Sequence, residues 1–170
     1  ACRSSTSAGT ITPPPPPKFQ ANPDHVQELN KALNFENYDE ALGLLEKVYP
    51  VSESPAVHYA KKASILLKMN REAETLECYE KALEADPDDP KLYDQLGRAY
   101  FNMAEYEKGI VMVEKAIILS EGAVGQMSKL AAAYHKAGRA VKPDELARRL
   151  EKESKAYHNK SGSGFAGSSD

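Results

Sequence analysis

The side chains of this chain that could do chemistry are four histidines, two cysteines and one tight acidic run. His25, His58, His135 and His158 stand far apart, and no pair has the H-x-x-x-H spacing that sets two imidazoles on one helical face. A metal role is not expected of them; His25 suits a packing position and the others a solvated face. Cys2 and Cys78 are the only cysteines and lack C-x-x-C spacing, so neither a zinc site nor a disulfide framework follows. Cys78 reads as a small apolar filler. The run Asp86-Pro87-Asp88-Asp89 has the carboxylate density of a calcium loop but lacks its glycine and its distal bidentate Glu, and is better read as a turn followed by a helix cap. Nothing resembles a phosphate-cradling Gly-rich loop or a nucleophile beside a base. The chain is therefore expected not to be an enzyme, with no catalytic residues, no metal, no cofactor and no small-molecule substrate.

A net charge of -3 over 170 residues gives no global pull toward phosphate backbones, and no basic patch with interleaved aromatics replaces it. A nucleic-acid partner is not expected. No stretch approaches the roughly 18 to 20 consecutive apolar residues of a membrane-spanning helix. Residues 1–21 are rich in Ser, Thr and Ala and then run through Pro13 to Pro17, a composition that favours extended polyproline II and reads as a disordered tether. Residues 158–170, where Ser161 to Asp170 repeats Ser and Gly around Phe165, read as a flexible tail.

Between these tails the sequence repeats itself without a gap. Units of 34 residues fall at 22–55, 56–89, 90–123 and 124–157. One aligned column reads Leu29, Ala63, Gly97 and Ala131, always compact; others read Ala32, Leu66, Tyr100 and Tyr134, or His25, Tyr59, Tyr93 and Met127. In the second half of each unit, Leu45, Tyr79, Val113 and Ala147 form one apolar column and Val48, Ala82, Ala116 and Leu150 another. Each unit holds two stretches with apolar residues at helical spacing. Breaks fall at Glu36, Asn70, Ala104 and Gly138, of which Asn and Gly best tolerate the positive φ of a chain reversal. Asn22-Pro23, Ser54-Pro55 and Asp89-Pro90 each set a capping side chain before a proline at the first helical position, and Pro143 does so after a longer turn.

These motifs resemble the tetratricopeptide repeat (TPR). Tyr93-x-x-Leu96-Gly97-x-x-Tyr100 with Gly109, Val113 and Ala116 is similar to its signature, and Tyr79 to Pro87 to its second-helix ending. Glu28 and Lys62 stand in place of the usual Leu, and Thr75 and Pro143 in place of the usual small residue. The resemblance covers 22–157 and implies an all-α solenoid of about four helical hairpins. Each inner hairpin buries both its sides against neighbours, and the fourth, with its charged last helix, serves as a cap.

The resemblance also implies a function: a non-catalytic module or assembly scaffold that holds a partner protein or peptide in the groove lined by the first helices. On this chain that face carries Asn30, Leu33 and Asn34, then Lys61, Ser64, Leu67 and Lys68, then Lys91, Asp94, Gln95, Arg98, Phe101 and Asn102, then Lys129, His135 and Lys136. Basic residues flank an apolar thread of Leu33, Leu67 and Phe101, so the expected partner supplies acidic and apolar residues. The plainer alternative leaves the lysines solvated and Phe101 packed on its own turn, and both readings stand at this point. Of the carboxylate clamp by which some TPR domains grip heat-shock chaperones, Asn30 and Lys91 match; Val26, Lys61 and Gln95 depart. That argues against a co-chaperone of that type.

Ala1-Cys2 resembles the edge of a bacterial lipoprotein processing site, where the Cys becomes lipidated, and Arg3 to Pro17 then resembles a polar spacer. This reading implies a scaffold anchored to the outer membrane, facing the periplasm and organising an envelope complex, similar to the small TPR lipoproteins that help assemble pilus secretins. The alternatives are an unmodified Cys2 and a soluble cytoplasmic adaptor or chaperone.

Overall fold

The computed structural model describes residues 19–120 and 127–163, with side chains to residue 160. Every regular element among them is an α-helix. In chain order these are α1 (Pro23–Asn34), α2 (Tyr38–Val48), α3 (Pro55–Lys68), α4 (Glu72–Ala85), α5 (Pro90–Asn102), α6 (Tyr106–Leu119), α7 (Met127–Lys136) and α8 (Pro143–Ser163). The expected solenoid of helical hairpins is thus observed. The tether expected at 1–21 falls mostly, and the end of the tail wholly, outside the described residues. Ala21 already packs against the first core cluster, and α8 continues through 158–163.

The joint inside each hairpin is the same structure four times. Glu36 (φ 59°), Asn70 (57°), Ala104 (59°) and Gly138 (73°) all adopt the left-handed conformation, one at each expected break. Around each, two hydrogen bonds close the end of the first helix. Glu36 N–H donates to Leu33 O (3.2 Å) and Asn37 N–H to Ala32 O (2.9 Å); Gly138 and Arg139 repeat the pattern at 3.1 and 2.9 Å. This is a Schellman closure, which satisfies orphan carbonyls that a helix end otherwise leaves to water.

Helix starts follow the capping-residue and proline signals at two of the three positions Asn22, Ser54 and Asp89. Asn22 Oδ1 accepts from Asp24 N (2.9 Å) and Asp89 Oδ1 from Lys91 N (2.8 Å). Ser54 does not cap α3. Its hydroxyl instead donates to the carbonyl of Pro50 (3.3 Å), because the turn after α2 brings that carbonyl within reach.

The core runs as a series of clusters along the stack. Leu29, Ala32, Ala41, Leu45 and Val48 of the first hairpin close over Ile65 of α3. Ala63, Leu66, Cys78 and Tyr79 meet Leu96 and Ala99 of α5. Ile110, Val113 and Ile117 meet Leu130, Ala133, Tyr134, Leu146 and Leu150 at the far end. Cys78 is buried as expected of a filler, and burial pushes its thiol pKa up. His58 departs from expectation: it is buried, and its Nδ1–H donates to the Tyr49 carbonyl at the end of α2 (2.8 Å).

The last pair departs from the period. Pro143 aligns with Ala41, Thr75 and Gly109, yet it begins its helix, so α8 starts late and its phase shifts. Leu146, Leu150 and Ser154 face inward, while Ala147, expected in the apolar column, is exposed. Ala131 is likewise only half-buried, the neighbouring Leu130 taking the core position. α8 leans on α6 more than on α7. Ser154 Oγ donates to Ile118 O (2.9 Å), Arg149 and Tyr134 both bond Glu114, and Tyr157 Oη donates to Asp88 (3.1 Å).

Candidate functional site

The first helices α3 and α5 lie side by side, and between them opens a cleft of about 380 Å³. Its walls are Lys61 and Ser64 from α3, Lys91 and Gln95 from α5, an apolar floor of Ala56, Val57, Ala60 and Leu92, and a rim of Asp86 and Asp89 from the α4–α5 turn. The arrangement follows from local sequence. Val57, Ala60, Lys61 and Ser64 recur at i, i+3, i+4 and i+7 and so share the face of α3 that borders the cleft, while Ala63 and Leu66 turn into the core. Pro90 and the Asp89 cap fix the start of α5 and so the direction in which Lys91 leaves the helix.

The charges of the cleft are not equally available. Asp89 is committed to the backbone N–H of Lys91. Arg98, one turn beyond Gln95, is paired with Asp94 (2.5 Å). Lys61 and Lys91 have no ion-pair partner among the described residues, so their ammonium groups are the cations the cleft can offer an incoming carboxylate. Ser64 Oγ lies 3.0 Å from Ala60 O and 3.3 Å from Tyr79 Oη, a small polar network on the wall. The Tyr79 phenol is pushed above its ordinary pKa, chiefly by burial.

Of the residues expected in the groove, the cleft brings together Lys61, Ser64, Lys91 and Gln95. Asn30, Asn34, Lys68, Arg98, Asn102, Lys129, His135 and Lys136 are exposed along the same first helices but outside it. The apolar thread is not free: Leu33 and Leu67 pack partly into the first and second clusters, and Phe101 into the third. The Phe101 ring occupies the space that a side chain on Gly109 would need, and lies 6.5 Å from the Tyr106 ring. Phe101 is therefore a packing residue first. The exposed apolar surface in the cleft comes instead from Val57, 43% exposed. Sequence reading missed Val57, Ala56 and Leu92, and its one available signal was their position in the first turns of α3 and α5, beside the expected basic residues. Among the described residues no group of three metal-ligating side chains converges, and no helix is long and apolar enough to cross a membrane. Cys2 lies outside the described residues.

The paired helices, left-handed joints and stacked clusters define a TPR solenoid. The chain belongs to the family described as the Psidin N-terminal TPR repeats region, which matches residues 25–160. Two TPR repeat-containing proteins of Methanocaldococcus jannaschii are similar, one 31% identical over 83 residues and the other 43% identical over 56 residues. These matches cover 49% and 33% of this chain but only 14% and 18% of those proteins, so the chain spans a small part of the length of either. Among solved structures, the crystal structure of MamA superposes with a TM-score of 0.56 at 18% identity, covering 82% of this chain and 79% of that one. The TPR2B domain of yeast Sti1, in its complex with pHsp70, superposes with a TM-score of 0.54 at 18% identity, covering 68% and 94%. At that identity the likeness establishes the fold.

Proposed function

We propose that this chain is a protein-binding module that seats a partner segment carrying acidic and apolar residues in the groove between α3 and α5. The observation that carries the reading is the cleft itself: two unpaired lysines, Lys61 and Lys91, flank an apolar floor with Val57 exposed. A carboxylate held between two ammonium groups makes charge-assisted hydrogen bonds, about twice as strong as neutral ones, and an adjacent apolar anchor adds burial. The family supports this reading, since TPR repeats are in general an interaction fold without catalysis, and so does a fold neighbour described in complex with pHsp70. The test is selection of binders from a random-peptide library, followed by Lys61→Glu with Lys91→Glu. Binding should be lost while helicity is kept; unchanged binding sends the site elsewhere.

The membrane-anchored form of the reading rests on Ala1-Cys2 alone and stands as a proposal beside the soluble adaptor. In it Cys2 carries lipid, and the scaffold works at the outer membrane facing the periplasm. Mass spectrometry of the protein from its own cells decides between them: lipid on Cys2 supports the anchor, and an unmodified thiol removes it.

A further inference from the structure

Among the described residues, the groove that receives a neighbour in every inner hairpin is open in the first. In the second hairpin the residues on this side, Ile65, Met69 and Cys78, are covered, with Ile65 and Met69 packed on the first cluster and Leu42 of α2 packed against the cluster that holds Cys78. One period earlier the same positions are Lys31, Phe35 and Leu44. With Glu28, Ala32, Asn37 and Glu40 they line a concavity of about 250 Å³ between α1 and α2 that no other described element covers. Phe35 is 69% exposed there, the most exposed large apolar residue among those described. The two ends of the stack differ: α8 closes the far one with Arg148, Glu151, Lys152 and Lys155 outward.

We infer that this front face pairs with the front face of a second copy of the chain, each Phe35 entering the partner's groove. Three observations select that occupant. The face carries both signs, Lys31 beside the carboxylates of Glu28 and Glu40, so a two-fold arrangement can set Lys31 of each copy against the carboxylates of the other. Lys31 and Glu28 have no ion-pair partner within the described chain that such pairing must break. Because the ends are unlike, front-to-front contact closes at two copies, with no free front face left for a third. The area sets the strength: helices about 18 Å long and 10 Å wide give a face on the order of 400 Å² per copy, about half of a standard stable interface. The dimer is weak and concentration-dependent.

Sedimentation of the full chain from about 10 µM to about 1 mM, the range where an interface of this size associates, tests it. The average mass should climb toward twofold. Phe35→Asp and Lys31→Glu should hold it at the monomer value, and combining Glu28→Lys and Glu40→Lys with Lys31→Glu should restore the climb. Because these side chains are exposed, unchanged helicity is expected and serves as the folding control. A chain that stays monomeric throughout overturns the inference. So does self-association that survives Phe35→Asp, or a charge-swapped variant that fails to recover. Self-association appearing only after removal of residues 1–18 overturns it too, by making that segment the groove's occupant.

Discussion

The backbones of Gly97 and Gly109 touch across the third hairpin. A Cβ on Gly97 would stand 3.1 Å from the Gly109 carbonyl oxygen and 2.6 Å from Val113 Cγ2; a Cβ on Gly109 would stand 2.9 Å from the Gly97 oxygen and fall on the Phe101 ring. This contact sets how closely α5 approaches α6. Through it the hairpin positions Lys91 and Gln95 opposite α3.

Three glycine substitutions should therefore separate by sign. Gly43 sits in α2 with nothing within 4 Å of a Cβ, so Gly43→Ala should stabilise by about 0.5–1 kcal/mol through helix propensity. Gly97→Ala and Gly109→Ala gain the same propensity but overpack, at about 1–3 kcal/mol, so both should destabilise on balance. Thermal melts resolve this at about 2–4 °C per kcal/mol.

The left-handed joints give a second contrast. Ala104 and Glu36 hold φ near 59° at a cost of about 1–2 kcal/mol each, while glycine in their place gives up about 0.5–1 kcal/mol of chain entropy. Ala104→Gly and Glu36→Gly should stabilise by about 0.5–1 kcal/mol, and Gly138→Ala should destabilise by about 1 kcal/mol. Urea denaturation of the three variants checks the signs.

Where the 34-residue period held, the sequence told the fold well. The four joints were legible even at Glu36 and Ala104, whose residue types disfavour positive φ, because the columns on either side fixed their place. What the period hid were departures from it. The turn before Pro143 shifts the phase of α8, so Ala147 is exposed and Leu146 buried. In the site, Lys61, Ser64, Lys91 and Gln95 were expected from the resemblance to TPR repeats, whose first helices line the groove, and the cleft between α3 and α5 brings these four together. The packing of Phe101 was not legible, because the vacancy it fills is made by Gly109 on the next helix, a tertiary relation that spacing along one helix does not carry.

The capping role of α8 predicts a large effect from one exposed-looking element. Leu150, 1% exposed, joins α8 to the cluster of Val113, Ile117 and Leu130. Leu150→Ala should cost about 2–5 kcal/mol, whereas Ala147→Ser beside it should be nearly silent. Denaturant midpoints measured at equal slopes decide it.

Stability should fall on the alkaline side. Burial raises the pKa of Cys78 above 9.0 and of Tyr79 above 10.0, so the folded state favours their protonated forms. Their contribution is complete below those unfolded values and is lost as pH rises through the higher folded ones. Unfolding free energy should therefore drop from about pH 9 upward, and Tyr79→Phe should flatten the part above about pH 10. Chemical denaturation across that range measures the slope.

The central claim is that partners are held between α3 and α5. Amide shift mapping with a library-selected peptide tests it most directly. The perturbed amides should cluster at Lys61, Ser64, Lys91 and Gln95, with Val57 showing contacts to apolar peptide protons. Perturbations confined to the second helices, around Glu40, Glu74 and Val111, would contradict the claim and move the binding surface to the opposite side of the solenoid.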